Sequence, residues 1–326
     1  MMLIINKLVK PKVSNVYDTY WKFAAERQNV FFNKIANLPF LTTDPILQNH
    51  KFTNAYRASD RVSQYLIREV IYQGDQEPNE LLFRILLFKI FNKIETWQLL
   101  LHEIGEITWR NYNFDRYDKV LSEAKKANET IYSGAYIMAS AKSEFGYDYK
   151  HQNHLRLIEL MITGNLSNKL LEARSLSEIY ELLLSYPTIG PFLAYQYAID
   201  INYSQMIDFN EMDFVVPGPG ARDGISKCFI DMGDYSETEI IEYVTDIQES
   251  EFKRLGIEFR DLFGRPLQLI DCQNLFCETD KYARVAHPEA EGHSGRKRIK
   301  QIYRPQKGVI NYWFPPKWGI NENLLL

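Results

Sequence analysis

The chain has 326 residues, enough for one large helical body or two joined halves, and its 45% hydrophobic and 25% charged residues match an ordinary soluble globular protein. Its formal net charge of −4 points by itself to neither a nucleic acid nor a membrane surface. Three cysteines, Cys228, Cys272 and Cys277, exclude a disulfide framework, a four-thiolate iron–sulfur cluster and a paired-cysteine zinc site, and they suit a reducing cytoplasm.

In chain order, the start M-M-L-I-I-N-K-L holds only a brief apolar run, and the apolar stretch 81–101 is broken by Arg84, Lys89, Asn92, Lys93 and Glu95. Neither a signal peptide nor a membrane span is expected. Helical periodicity governs most of the rest, beginning with a predicted helix over 16–34. Across 60–72 the residues Val62, Tyr65, Leu66, Val70 and Ile71 recur at three and four, and 81–100 is richer still, so both are expected as core helices. Further helices are predicted over 115–127, 154–163, 175–185, 191–201, 220–229, 236–255 and 265–278. Ser175 and Ser177 stand before one apolar run, and Ser236 followed by Glu239 reads as a capping box. Strand signals are few, so the fold class is mostly α. Polar residues 148–153 mark an expected seam between an N-terminal helical lobe, 1–150, and a second lobe, 151–326, that ends in a basic segment.

Residues 186–194, Y-P-T-I-G-P-F-L-A, read as a helix-hairpin-helix. Pro187 stiffens the entry, Ile189 pins the turn to a core, Gly190 allows close approach, and Pro191 suits a first helical position that needs no N–H. Amides at Thr188, Ile189 and Gly190, together with the dipole of the following helix, would grip a nucleic-acid phosphate. An ordinary helix–turn–helix corner containing P-x-I-G is the competing reading. The basic run supplies a second indication: between residues 281 and 317 stand nine Lys or Arg and two acids. Lys281, Arg284, Arg296, Lys297, Arg298 and Lys300 are the expected phosphate contacts within it.

The hairpin resembles that of DNA glycosylases, in which an aspartate follows the hairpin glycine by roughly twenty residues. Asp208 lies eighteen and Asp213 twenty-three residues after Gly190, and Asp213, in M-D-F-V-V, is the preferred catalytic residue, with Asp208 and Glu211 as rivals. Cleaving an N-glycosidic bond builds oxocarbenium character that one carboxylate can stabilise while orienting water. Phe192 stands where bifunctional glycosylases place a Schiff-base lysine, and Glu181 falls near the other usual lysine position, so base removal without strand cleavage is expected.

Four segments carry a more specific resemblance: F-T-N-A-Y-R-A-S-D-R-V-S-Q-Y-L (52–66), Y-P-T-I-G-P-F-L-A-Y-Q (186–196), D-F-V-V-P-G-P-G-A-R-D-G (213–224) and F-C-E-T-D-K-Y-A-R-V (276–285). The chain resembles, over about residues 15–305, the α-glutamyl/putrescinyl thymine pyrophosphorylase-like family, also described as the helical domain associated with 5-hydroxymethyluracil DNA kinases. The resemblance implies a two-lobed helical fold like that of helix-hairpin-helix DNA glycosylases. It also implies a base pocket lined by Arg57, Asp60, Arg61 and Gln64 on one helical face, with Phe214, Gly218 and Gly220.

The leading expectation is a monofunctional DNA glycosylase that flips and excises a modified pyrimidine, in defence against phage. The alternative is a base-hypermodifying pyrophosphorylase or transferase acting on phosphorylated 5-hydroxymethyluracil, and a non-catalytic DNA-binding module is the third. No G-x-x-x-x-G-K-[ST] occurs in the 326 residues, so nucleotide-dependent phosphorylation is not expected of this chain. The expected partner is DNA carrying modified bases, and no membrane is involved. No metal or cofactor is expected, since His287 and His293 with Glu289 and Glu291 read as a polar loop; hairpins of this kind can seat a structural monovalent cation.

Overall fold

The computed structural model describes residues 9–305 and 310–325, so the brief apolar run at 1–8 and the basic residue Lys307 lie outside it. Fifteen α-helices run through the described residues: α1 (Val16–Ile35), α2 (Pro45–Asn49), α3 (Arg61–Tyr65), α4 (Pro78–Phe91), α5 (Ile94–Ile104), α6 (Phe114–Lys126), α7 (Lys142–Phe145), α8 (Lys150–Thr163), α9 (Leu166–Glu172), α10 (Leu176–Leu184), α11 (Pro191–Asn202), α12 (Pro219–Cys228), α13 (Glu237–Asp246), α14 (Gln248–Arg254) and α15 (Leu269–Ala286). Two short antiparallel strands, β1 (Lys12–Val13) and β2 (Phe229–Asp231), form the named sheet. The fold is mostly α, and no helix among the described residues is long and apolar enough to cross a membrane.

Local chemistry accounts for many of the boundaries. The Ser236 hydroxyl accepts the Glu239 N–H at 3.3 Å while Glu239 Oε2 accepts the Ser236 N–H at 2.8 Å, the reciprocal box expected at the start of α13. Ser175 caps α10 by accepting the Glu178 N–H at 3.2 Å. The predicted helix over 81–100 is instead two, because Asn92 takes a left-handed conformation (φ 47°) that closes α4. The stretch 236–255 is likewise divided at Ile247 between α13 and α14.

The chain forms two compact units: one of residues up to 60, 214–312 and from 320 onward, the other of 61–213 and 313–319. The polar stretch 148–153 leads into α8 inside the second unit. In the first unit α15 is the central helix, with α1, α12 and α13 packed on it. Trp21 meets Phe252 edge-on at 5.1 Å, and Tyr20 lies 4.5 Å from Phe276, so aromatic side chains fill much of the space around it. In the second unit α4 is buried on every side from Glu80 to Phe91, against α8, α9 and α11. A helix surrounded this completely has no solvent face, which explains its nearly continuous apolar sequence.

Two glycines let α12 sit directly on α15. A Cβ on Gly224 would stand 2.0 Å from the Phe276 carbonyl oxygen, and one on Gly220 would stand 2.3 Å from Cys277 Sγ. Backbone cannot move aside as a side-chain tip can. Gly224→Ala is therefore expected to lower the unfolding free energy by about 2–4 kcal/mol. Gly190→Ala, with nothing within 4 Å of the added carbon, should change it by no more than about 0.5 kcal/mol. Urea titrations of the two variants compare these values.

Candidate functional site

In the second unit, α10 and α11 are joined by a tight turn that buries Ile189 and leaves Gly190 exposed at the start of α11. Pro191 occupies the first turn of α11, as the sequence requires. The unusual conformation of the turn is not at its glycine. Gly190 has an ordinary φ of −82°, whereas Thr188, a branched residue, is held at φ 65°. The Thr188 hydroxyl is buried without a hydrogen-bond partner among the described residues. Bare backbone at Gly190 thus faces open space beside a helix N-terminus, while the turn preceding it carries conformational strain.

Behind the turn lies a buried charge pair that the sequence reading did not identify. Lys89 of α4 stands 2.8 Å from Asp200 of α11, and both side chains are almost wholly inaccessible. Lys89 also donates to Asn92 Oδ1 at 3.0 Å and lies 4.5 Å above the Tyr136 ring, which stacks on Phe192 at 5.6 Å. The available signal was a lysine within the apolar run 85–91 of α4, where an unpaired ammonium would be too costly to bury. Removing one partner alone should strand the other: Lys89→Met is expected to cost about 3–5 kcal/mol, and Lys89→Met with Asp200→Leu to recover most of that loss, as read by thermal and urea unfolding.

The carboxylates after the hairpin differ sharply in setting. Asp213 is exposed in a turn where its N–H donates to the Asn210 carbonyl at 3.2 Å. Asp208 is also exposed, 3.3 Å from Lys317 Nζ. Glu211 is buried.

The first unit holds a denser constellation. Asp60, Arg57, Arg27, Asn54 and Glu278 are brought together by the chain entering the short 3₁₀ turn Arg57–Ser59 and by α15. Arg27 Nε donates to the Thr53 carbonyl at 2.9 Å and its Nη2 to Asn54 Oδ1 at 2.7 Å. The Asn54 N–H donates to Asp60 Oδ1 at 2.7 Å, the Thr53 N–H to Glu278 Oε2 at 2.9 Å, and the Arg57 N–H to Asp271 Oδ1 at 2.8 Å. Residues of the first and fourth resembling segments therefore meet along one edge of α15. The third reaches the same helix through Gly220 and Gly224.

Burial raises the Asp60 carboxyl to about 7; the Asn54 N–H opposes the shift, Glu278 adds to it, and Arg27 and Arg57 oppose it. Tyr312, itself pushed up by burial to about 12, faces Asp60 and Arg27. A carboxyl that titrates near neutrality can accept or return a proton under ordinary conditions. Because the folded value exceeds the usual carboxylate value, folding favours the protonated form. The stability difference between the wild type and Asp60→Asn should accordingly move against the wild type as pH rises from about 4 to about 7, and level off above that. Denaturant melts of both proteins at several pH values measure that trend.

The expected single helical face does not form. Asp60 is extended (ψ 146°) and separates the Arg57–Ser59 turn from α3, because its side chain turns back to accept the Asn54 N–H. Arg57 is buried, Arg61 is exposed, and Gln64 is buried in the second unit with Oε1 accepting the Trp313 N–H at 2.8 Å. Gly218 is the N-cap of α12, Gly220 packs against Cys277, and Phe214 is half-buried. The basic residues also divide. Lys281 and Arg284 are largely buried, paired with Glu278 at 2.6 Å and with Asp280, so neither side chain lies free along an outer surface. Arg296 pairs with Asp223 at 2.6 Å and Lys297 with Glu291 at 2.8 Å, while Arg298 and Lys300 are exposed.

The profile of the 5-hmdU DNA kinase helical domain matches residues 14–292. The chain belongs to that family. It is 25% identical over 293 residues to the 5-hmdU DNA kinase of Bacillus phage SP10, an alignment covering 82% of this chain and 45% of that protein. The chain thus spans less than half the length of this relative. No solved structure matches it. These findings overturn the leading expectation of a DNA glycosylase: the family and the relative carry the name of a kinase, a group-transfer enzyme, and not of a hydrolase that excises bases. Transfer at a substituent of the base leaves the N-glycosidic bond intact, so it requires no carboxylate beneath the anomeric carbon.

Proposed function

We propose that this chain acts on DNA carrying 5-hydroxymethyluracil, in a transfer step of base hypermodification at the 5-hydroxymethyl group once phosphorylation has brought it to the pyrophosphate. The observation that carries the reading is the family match over residues 14–292, in which segments 52–60 and 276–285 meet at Asp60 and Gly220 and Gly224 seat α12 on the same helix α15. Within these 326 residues no G-x-x-x-x-G-K-[ST] occurs, so the chain is assigned the step after phosphorylation.

In that step an amine attacks the 5-methylene carbon, the bond from that carbon to the pyrophosphate oxygen breaks, and pyrophosphate leaves with the bonding electrons. The amine's proton passes to Asp60, whose raised carboxyl is suited to receive it. Arg27 and Arg57 hold positive charge beside that carboxyl. The α10–α11 turn is the DNA-backbone contact: the Gly190 amide stands exposed at the N-terminus of α11, in a helix-hairpin-helix arrangement suited to one phosphate, with Thr188 beside it, whereas the Ile189 N–H is spent on the Tyr186 carbonyl at 3.3 Å. Arg298 and Lys300, exposed in the basic segment, add sequence-independent attraction.

The experiment supplies duplex DNA bearing the pyrophosphorylated 5-hydroxymethyl base together with an amine donor. Pyrophosphate should appear in step with a heavier nucleoside, with no abasic site, and Asp60→Asn should slow the reaction by about 10²–10⁴-fold. Phosphoryl transfer from ATP to unmodified 5-hydroxymethyluracil DNA, or no pyrophosphate release from any such substrate, would count against the assignment.

A further inference from the structure

A second cavity in the first unit lies apart from Asp60, between the C-terminal half of α15, the end of α12 and the loop 288–297. Lys227, Arg284, Arg296 and Lys297 line it, with Glu291 and Ala290 among the remaining wall residues. Its volume is about 110 Å³. That is room for a few waters, well below the roughly 300 Å³ at which pockets for nucleotide-sized ligands begin. A single tetrahedral oxyanion fits the size.

The charges fit as well. Lys227 and Arg284 both contact Asp280, the former at 3.0 Å; Arg296 lies 2.6 Å from Asp223 and 3.9 Å from Asp280; Lys297 lies 2.8 Å from Glu291. Four cations against three carboxylates leave one positive charge in excess at a partly enclosed site. The remaining polar contacts are protein–protein: Lys227 Nζ to the Asp280 carbonyl at 3.2 Å, Arg284 Nη1 to the Arg298 carbonyl at 3.1 Å, and Arg296 Nε to the Ser294 hydroxyl at 2.7 Å. One donor is left over. The Arg284 side chain is 9% exposed, and its Nε is buried with no hydrogen-bond partner among the described residues. A buried guanidinium N–H without an acceptor costs free energy that a bound anion would restore.

We infer that this cavity binds one phosphate group, either free inorganic phosphate or the terminal phosphate monoester of a larger molecule. An internal DNA phosphodiester carries a sugar on each side and exceeds the space, so the site differs in kind from a backbone contact. This inference is independent of the proposed transfer reaction, because it concerns binding of an anion and needs neither modified DNA nor turnover.

The test is calorimetric titration of the full chain with inorganic phosphate, at ionic strength matched with sodium chloride, and with thermal unfolding as a second readout. Saturable binding and a raised melting temperature are expected. Arg296→Gln should weaken binding about tenfold or more by removing one charge-assisted contact. Ala290→Leu fills the cavity without altering charge, and it should abolish the effect while circular dichroism shows the folded protein. Displacement of the bound phosphate by a 5′-phosphorylated oligonucleotide identifies a terminal monoester as occupant, and failure of that oligonucleotide to displace it identifies the inorganic ion; both sustain the site. Equal competition by an unphosphorylated oligonucleotide, an absence of saturable binding, or binding undiminished in Ala290→Leu, the mark of an adventitious ion only, would overturn it.

Discussion

The close seat of α12 on α15 constrains everything else in the first unit. With no side chain at Gly220 or Gly224, α12 comes so close to Phe276 and Cys277, midway along α15, that a Cβ at either position would clash. Along that fixed rod the carboxylates Asp271, Glu278 and Asp280 point in different directions, each to a different task. Asp271 receives the Arg57 N–H, Glu278 receives the Thr53 N–H, and Asp280 holds Lys227 and Arg284. Small shifts of α15 would loosen all three arrangements together, since a helix moves as a rigid element.

Both units bury charge, and they do so by different means. In the second unit the Lys89–Asp200 pair is isolated and almost fully inaccessible, flanked by Asn92 and the Tyr136 ring. Such pairs add little net stability, since desolvation offsets most of the attraction, but they penalise any packing that separates them. In the first unit the charges form extended networks that remain partly open to solvent. Asp60 retains some exposure and yet is desolvated enough to titrate near 7. That combination suits a group that must exchange a proton with something outside the protein.

In the α10–α11 turn, residue types and backbone conformation part company. Proline, isoleucine and glycine occupy the positions that a phosphate-gripping turn calls for, and Ile189 is buried as that pattern requires. The left-handed backbone nevertheless falls on Thr188, a residue whose branched side chain resists it. Propensity alone would have assigned that conformation to Gly190. Only the closure between α10 and α11 makes the threonine adopt it.

Much of the secondary structure was written in nearest-neighbour chemistry. The Ser236–Glu239 box, the Ser175 cap, Pro191 at a helix start and the recurrence of apolar residues in α1 and α4 each depend on partners within about one or two helical turns, so sequence order alone decided them. The same locality made Arg57, Asp60, Arg61 and Gln64 look like one helical face, and there it failed, because a hydrogen bond from Asn54 draws Asp60 out of the helix. Desolvation and charge pairing depend on what the folded chain brings near. Lys89 meets Asp200, Lys281 and Arg284 turn toward carboxylates and away from an outer phosphate, and Asp60 loses water to side chains from α1 and α15. Those outcomes belong to the tertiary structure, since the free energy of a charge is set by its surroundings in space and not by its neighbours in sequence.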